Sequence, residues 1–118
     1  MEQDFNSFLP LPPAALHILL ALAGEDLHGY GIMQEVARQS ADRYRLGPGT
    51  LYDNLQRLTA QGLAEEVRRS SAEGDDGRRR YYRLSSLGRG VLAAEIARLE
   101  GVVRDARLRL QSVKPRSA

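Results

Sequence analysis

The stretch Leu63-Ala64-Glu65-Glu66-Val67-Arg68-Arg69, then Ser70-Ser71-Ala72-Glu73-Gly74-Asp75-Asp76-Gly77, then Arg78-Arg79-Arg80-Tyr81-Tyr82-Arg83-Leu84 decides the fold. Its two ends, residues 63–69 and 79–84, have the length and residue types of strands, and the small, polar and glycine residues between them are loop chemistry. The reading is a β-hairpin with a long tip. Side chains alternate between the faces of a strand, so Arg78 and Arg80 share one face and Arg79 takes the other. One of Tyr81 and Tyr82 is then expected to pack on the core.

Three helical segments precede the hairpin. Pro12 and Pro13 open the first, which runs from Ala14 to Ala23 with Leu16, Leu19, Leu20 and Ala23 expected inward and Gly24 as a left-handed stop. A turn through Glu25, Asp26, Leu27 and His28 leads to a second helix, about Gly29 to Ser40, with Ile32, Met33, Val36 and Ala37 as its buried stripe. His28 is read as shaping the entry to this helix, and His17 as a partly buried helix residue. Gly47-Pro48-Gly49-Thr50 starts a third helix, in which Leu51, Leu55 and Leu58 at i, i+4 and i+7 face inward and Gly62 ends the run. Three helices and a hairpin in this order make a winged helix-turn-helix, whose third helix enters the DNA major groove. The expected fold class is therefore mostly α with a small β-hairpin.

After the hairpin a single long helix is expected from Ser86 to Gln111, about 39 Å at 1.5 Å per residue. Leu92, Ile96, Leu99, Val103, Ala106 and Leu110 recur at alternating spacings of 4 and 3, the pattern of a coiled-coil seam. A helix this long cannot be covered by so small a globule, which points to a partner's helix as the cover. Gly101 interrupts the flank of the seam at a cost of about 1 kcal/mol against alanine. The organisation read from the chain is a winged-helix domain over 1–85, a dimerisation helix over 86–111 and a frayed tail over 112–118.

Charge and composition narrow the function. The first 37 residues hold five acids and no lysine or arginine, whereas the remainder carries 17 bases against 10 acids, and 16 of those bases are arginines. Arginine's planar fork suits phosphates and guanine edges. The absence of cysteine excludes disulfides, thiolate metal sites and cysteine nucleophiles. Neither histidine has metal-ligand neighbours, and no nucleophile elbow, phosphate-binding glycine loop or catalytic carboxylate pair is recognisable, so neither an enzyme nor a cofactor is expected. The apolar run Ala14–Ala23 is too short to cross a bilayer, and residues 1–13 lack the basic start of a secretion signal. A cytoplasmic protein with no membrane partner is expected.

Leu27-His28-Gly29-Tyr30, Gly47-Pro48-Gly49-Thr50-Leu51-Tyr52 and Arg78-Arg79-Arg80-Tyr81-Tyr82-Arg83-Leu84, in this order and spacing, resemble the PadR family of bacterial transcription regulators over about residues 14–90. The resemblance implies a homodimer that represses promoters at a roughly palindromic operator on double-stranded DNA, with the third helix in the major groove and the wing beside it. One helix after the wing is similar to the short-tailed branch, some members of which sense hydrophobic small-molecule effectors at the dimer interface. Two positions depart from the pattern. Gly47 stands where many relatives carry a serine or threonine cap, and Asp53 puts an acid on the DNA side.

On the third helix, Thr50, Asn54 and Arg57 are the candidates for base edges or phosphates, with Tyr52 for the backbone nearby. Arg78, Arg79 and Arg80 are the candidates on the wing, with Arg68 and Arg69 as further phosphate contacts or partners of the acids at the tip. A polar helix face by itself reads equally as solvated surface. The arginine-rich hairpin beside it tips the reading to DNA. The alternative is a winged-helix protein-interaction module that binds no nucleic acid, since fold does not fix function.

Overall fold

The computed structural model describes residues 4–68 and 80–112. A short 3-10 turn, Phe5–Phe8, precedes α1 (Pro13–Gly24), β1 (Leu27–His28), α2 (Gly29–Gln39), α3 (Pro48–Ala60), β2 (Ala64–Arg68), β3 (Arg80–Leu84) and α4 (Ser86–Ser112). The expected hairpin is present as β2 and β3, antiparallel, with Ala64 opposite Leu84 and Arg68 opposite Arg80. A third strand joins it. Leu27 and His28 pair with Tyr82 and Tyr81, so the sheet order is β1-β3-β2 where the sequence reading had a turn. Two residues are too few for alternation to register, and the pairing exists only because β3 runs past them.

Helix α1 is the centre of the molecule, contacting α2, α3, α4 and β3. Its fully buried residues are Ala15, Ile18, Leu19, Ala21 and Leu22, while the expected Leu16, Leu20 and Ala23 pack half-buried on the same core. A helix covered from several sides is apolar nearly all round, so its period does not single out one face. Gly24 is the last helical residue, but Glu25 after it is extended and the glycine has no positive φ, contrary to the expected left-handed stop.

The ends of α2 and α3 are closed alike. At α2, the Ala41 N–H donates to the Arg38 carbonyl and the Asp42 N–H to the Ala37 carbonyl, with φ of 51° and 64° at Ala41 and Asp42. At α3, Gly62 at φ 78° allows its own N–H and that of Leu63 to reach the Thr59 and Leu58 carbonyls. This left-handed closure satisfies orphan carbonyls of a helix end. The buried face of α3 is Leu51, Leu55 and Leu58, and that of α2 is Gly29, Ile32 and Val36, with Met33 half-buried against the core.

The step from β3 into α4 is held by Ser85. Its hydroxyl donates to the Gly62 carbonyl at 2.6 Å and accepts from the Gly88 N–H at 2.9 Å, tying the start of α4 to the end of α3. Gly88 lies so close to the Leu63 carbonyl that a Cβ there would overlap it. Farther along, Gly90 faces the Phe5 ring, and the buried Glu95 carboxylate accepts from the Leu11 N–H at 3.1 Å and from Arg98. Beyond that point α4 leaves the globule. The radius of gyration is 17.7 Å, against about 13–14 Å for a compact chain of this length.

Candidate nucleic-acid interface

Helix α3 begins without a side-chain cap at Gly47, and Pro48 supplies the first helical residue. With Leu51, Leu55 and Leu58 turned inward, Thr50, Asp53 and Arg57 are exposed and Asn54 is half-buried. The Asn54 amide donates to the Thr50 carbonyl at 2.8 Å, so one of its donors is already used within its own helix. No ion pair orients Arg57 or Asp53 among the described residues, which leaves both to the solvent side.

Tyr52 is half exposed, and its hydroxyl sits where any Cβ on Gly29 would be. The glycine of the first sequence motif is thus the seat for the tyrosine of the second. His28 completes the junction as the cap of α2, its Nδ1 accepting from the Gly31 N–H at 2.9 Å. Helix α3 is held against the start of α2 through these residues. His17, half-buried as expected, stacks on Tyr44 with ring centroids 4.4 Å apart.

On the wing, Ala64, Tyr82 and Leu84 are buried, which fixes that face of the sheet as the one toward the core. Two-residue steps place Glu66 and Arg68 of β2 and Arg80 of β3 on it as well. Tyr52, Leu55, Gln56 and Thr59 of α3 then line one cleft of about 330 Å³ with Glu66, Arg80 and Tyr82. Arg80 Nε lies 3.7 Å from Glu66 Oε1. Burial, and next the Glu66 charge, pushes the Tyr82 phenol above its ordinary range, and the Arg80 charge works the other way. Of the two tyrosines, Tyr82 is the core residue, at 5% exposure.

Arg83 occupies the opposite face and is engaged in structure. Its guanidinium donates to Asp26 at 3.0 Å, joining β3 to the turn after α1, and that hydrogen bond raises its pKa further. Arg69, Arg78 and Arg79 lie outside the described residues. Of the basic wing candidates, Arg68 and Arg80 therefore have a described position, directly opposite one another across the ladder.

The expected dimerisation stripe divides. Leu92, at 5% exposure, is covered by its own chain, together with Val91. From Ile96 onward the apolar residues are uncovered: Leu99 is half-buried, and Ile96, Val103, Ala106 and Leu110 are exposed. Val102, outside the 4-and-3 spacing, is exposed beside the stripe and widens it, whereas Leu108 is exposed on the opposite side of the helix. Among the described residues no cluster of acids and histidines could hold a metal ion, and no helix is long and apolar enough to cross a membrane.

The family model described as the transcriptional regulator PadR-like family matches residues 18–94. The chain is 41% identical over 91 residues to a transcriptional regulator of Mycobacterium tuberculosis, an alignment spanning 76% of this chain and 78% of that protein. Among solved structures, a PadR family transcription regulator from hypervirulent Clostridium difficile matches with a TM-score of 0.67 at 27% identity, covering 84% of this chain and 99% of the other. Bacillus subtilis PadR, solved in complex with operator DNA, matches with a TM-score of 0.63 at 21% identity, covering 74% of this chain and 47% of that one; at this identity the likeness speaks for the fold.

Proposed function

The chain belongs to the PadR-like family of transcriptional regulators, and on that premise we propose that it is a sequence-specific DNA-binding repressor acting in the cytoplasm as a homodimer on a roughly palindromic operator. One observation carries the reading. The polar α3 and the Arg80-bearing face of the wing flank a common cleft, so a duplex that takes α3 in its major groove meets the wing guanidiniums beside it. Thr50 and Arg57 are then the residues best placed to touch bases or phosphates, with Asn54 contributing what its bond to Thr50 leaves free. The uncovered residues of α4, Ile96 to Leu110, supply the surface on which a second copy packs. In such a dimer the half-sites lie one or two helical turns apart, about 34 Å per turn.

The test is a gel-shift titration against the protein's own upstream region at several salt concentrations, with sedimentation to read the oligomeric state. A dimer whose affinity falls with salt, and Arg57→Ala weakening operator binding by about 1–3 kcal/mol, are the expected results. A monomer indifferent to duplex DNA at low ionic strength would instead support the protein-interaction reading.

A further inference from the structure

Arg68 and Arg80 stand directly opposite one another at the outer end of the described ladder. Like charges in this position repel unless an anion lies between or beside them. The free protein supplies one from its own chain. Glu66 is two residues before Arg68 on the same face and reaches Arg80 at 3.7 Å. Neither member of the ion pair is deeply buried, with side chains 64% and 39% exposed. The carboxylate therefore sits where a phosphate oxygen of a duplex seated on α3 and the wing would come.

We infer that Glu66 is a built-in competitor for DNA phosphate: its carboxylate occupies Arg80 in the free protein and must be displaced when the wing engages a duplex. The inference rests on the DNA-binding reading above and adds a residue that sets the strength of that binding. An exposed ion pair is weak enough to be exchanged, and its strength limits the handicap to about fivefold in affinity. It also has a signature in salt. With Glu66 present, the charge Arg80 brings to a phosphate is largely offset by the carboxylate it leaves behind. Removing that carboxylate lets Arg80 count as a full phosphate contact, steepening the log–log salt dependence by up to about 0.9.

Fluorescence anisotropy on the full chain with a 25-base-pair duplex of unrelated sequence, about the length that covers two half-sites and their flanks, reads both quantities. Glu66→Gln is expected to tighten binding about three- to fivefold at low salt and to steepen the slope. In an Arg80→Gln background the same change should have less than half that effect, because its target is gone. Glu65→Gln removes an equal charge from the opposite face of β2, beside Arg83, and serves as the control for bulk electrostatics. If Glu66→Gln changes nothing while the unaltered protein binds, or if it acts equally with and without Arg80 or no more than Glu65→Gln, the competitor role is overturned and the DNA-binding reading stands. If the unaltered protein binds no duplex at any salt, both fall together.

Discussion

Residues 86–95 and 96–112 of α4 belong to one unbroken helix, yet they live in different solvents. The first part carries Gly88, Val91, Leu92 and Glu95, all buried, where α4 packs on the chain's own 3-10 turn, α1 and the residues just after α3. The second carries Ile96, Val102, Val103, Leu108 and Leu110, at exposures from 40% to 80%. One apolar period is covered by its own chain over its first turns and left uncovered over the rest. Its first turns complete the domain, and its remainder presents a surface larger than scattered exposed residues need explain. Substitutions in the two parts should therefore differ in kind, and each pair below sets them against one another.

The largest effect is expected at the tightest approach. Gly88→Ala drives a methyl into the Leu63 carbonyl and to 2.9 Å from Leu84 Cδ1, where backbone has to move. A loss of about 3 kcal/mol or more is expected in urea unfolding. Leu92→Ala comes next, at about 2–4 kcal/mol, because the cavity opens inside a core shared with α1. Val103→Ala is its counterpart. It should leave the fold of the single chain nearly untouched and weaken self-association, so its unfolding midpoint shifts with protein concentration relative to the unaltered chain while the Leu92→Ala loss does not. Equal, concentration-independent losses at both positions would erase the division between the two parts.

Glu95 marks the boundary between them. The hydrogen bond from Arg98 outweighs burial and, with the Leu11 N–H, holds this carboxyl below the usual carboxylate range. A carboxyl that takes up its proton less readily when folded contributes stability that is complete above its unfolded pKa of about 4.3 and is lost as pH falls through the folded value. Glu95→Gln keeps an acceptor for the Leu11 N–H, so its stability should vary less with pH below about 5 than that of the unaltered chain. Glu95→Ala strands that N–H and should cost about 1–3 kcal/mol at neutral pH. Parallel pH profiles for the unaltered chain and Glu95→Gln would remove the carboxylate from the boundary.

Much of this was legible in the sequence, and the exceptions share a cause. Leu51, Leu55 and Leu58, the proline start of α3, the wing strands and the length of α4 follow from local period and turn chemistry, and they hold in the structure. What local pattern could not give are contacts made across the chain. Glu95 looks like an ordinary surface acid with an arginine three residues on, and only an N–H 84 residues away explains its burial. Leu92 scans as one more member of the seam, yet the chain's own core covers it. Tyr52 reads as a residue for the DNA backbone, and its hydroxyl is seated against Gly29. Arg83 shares a basic run with Arg80, yet Asp26 engages it on the other face. For Gly29, a glycine inside a helix start with no turn to require it was the available signal.

The smallest effect carries the opposite sign. Gly101 has no heavy atom within 4 Å of the place a Cβ would occupy, and heptad counting from Ile96 and Leu99 sets it on the side away from the seam, not on its flank as the bare pattern suggests. Gly101→Ala therefore relieves the conformational cost of glycine in a helix and should stabilise the protein by up to about 1 kcal/mol, where the identical change at Gly88 is strongly destabilising. The stabilisation should be the same at low and high protein concentration, because neither the chain nor its copy needs that space. Loss of stability that grows with concentration would mean that a second helix crosses at Gly101. The stripe from Ile96 to Leu110 would then not be the face on which two copies meet.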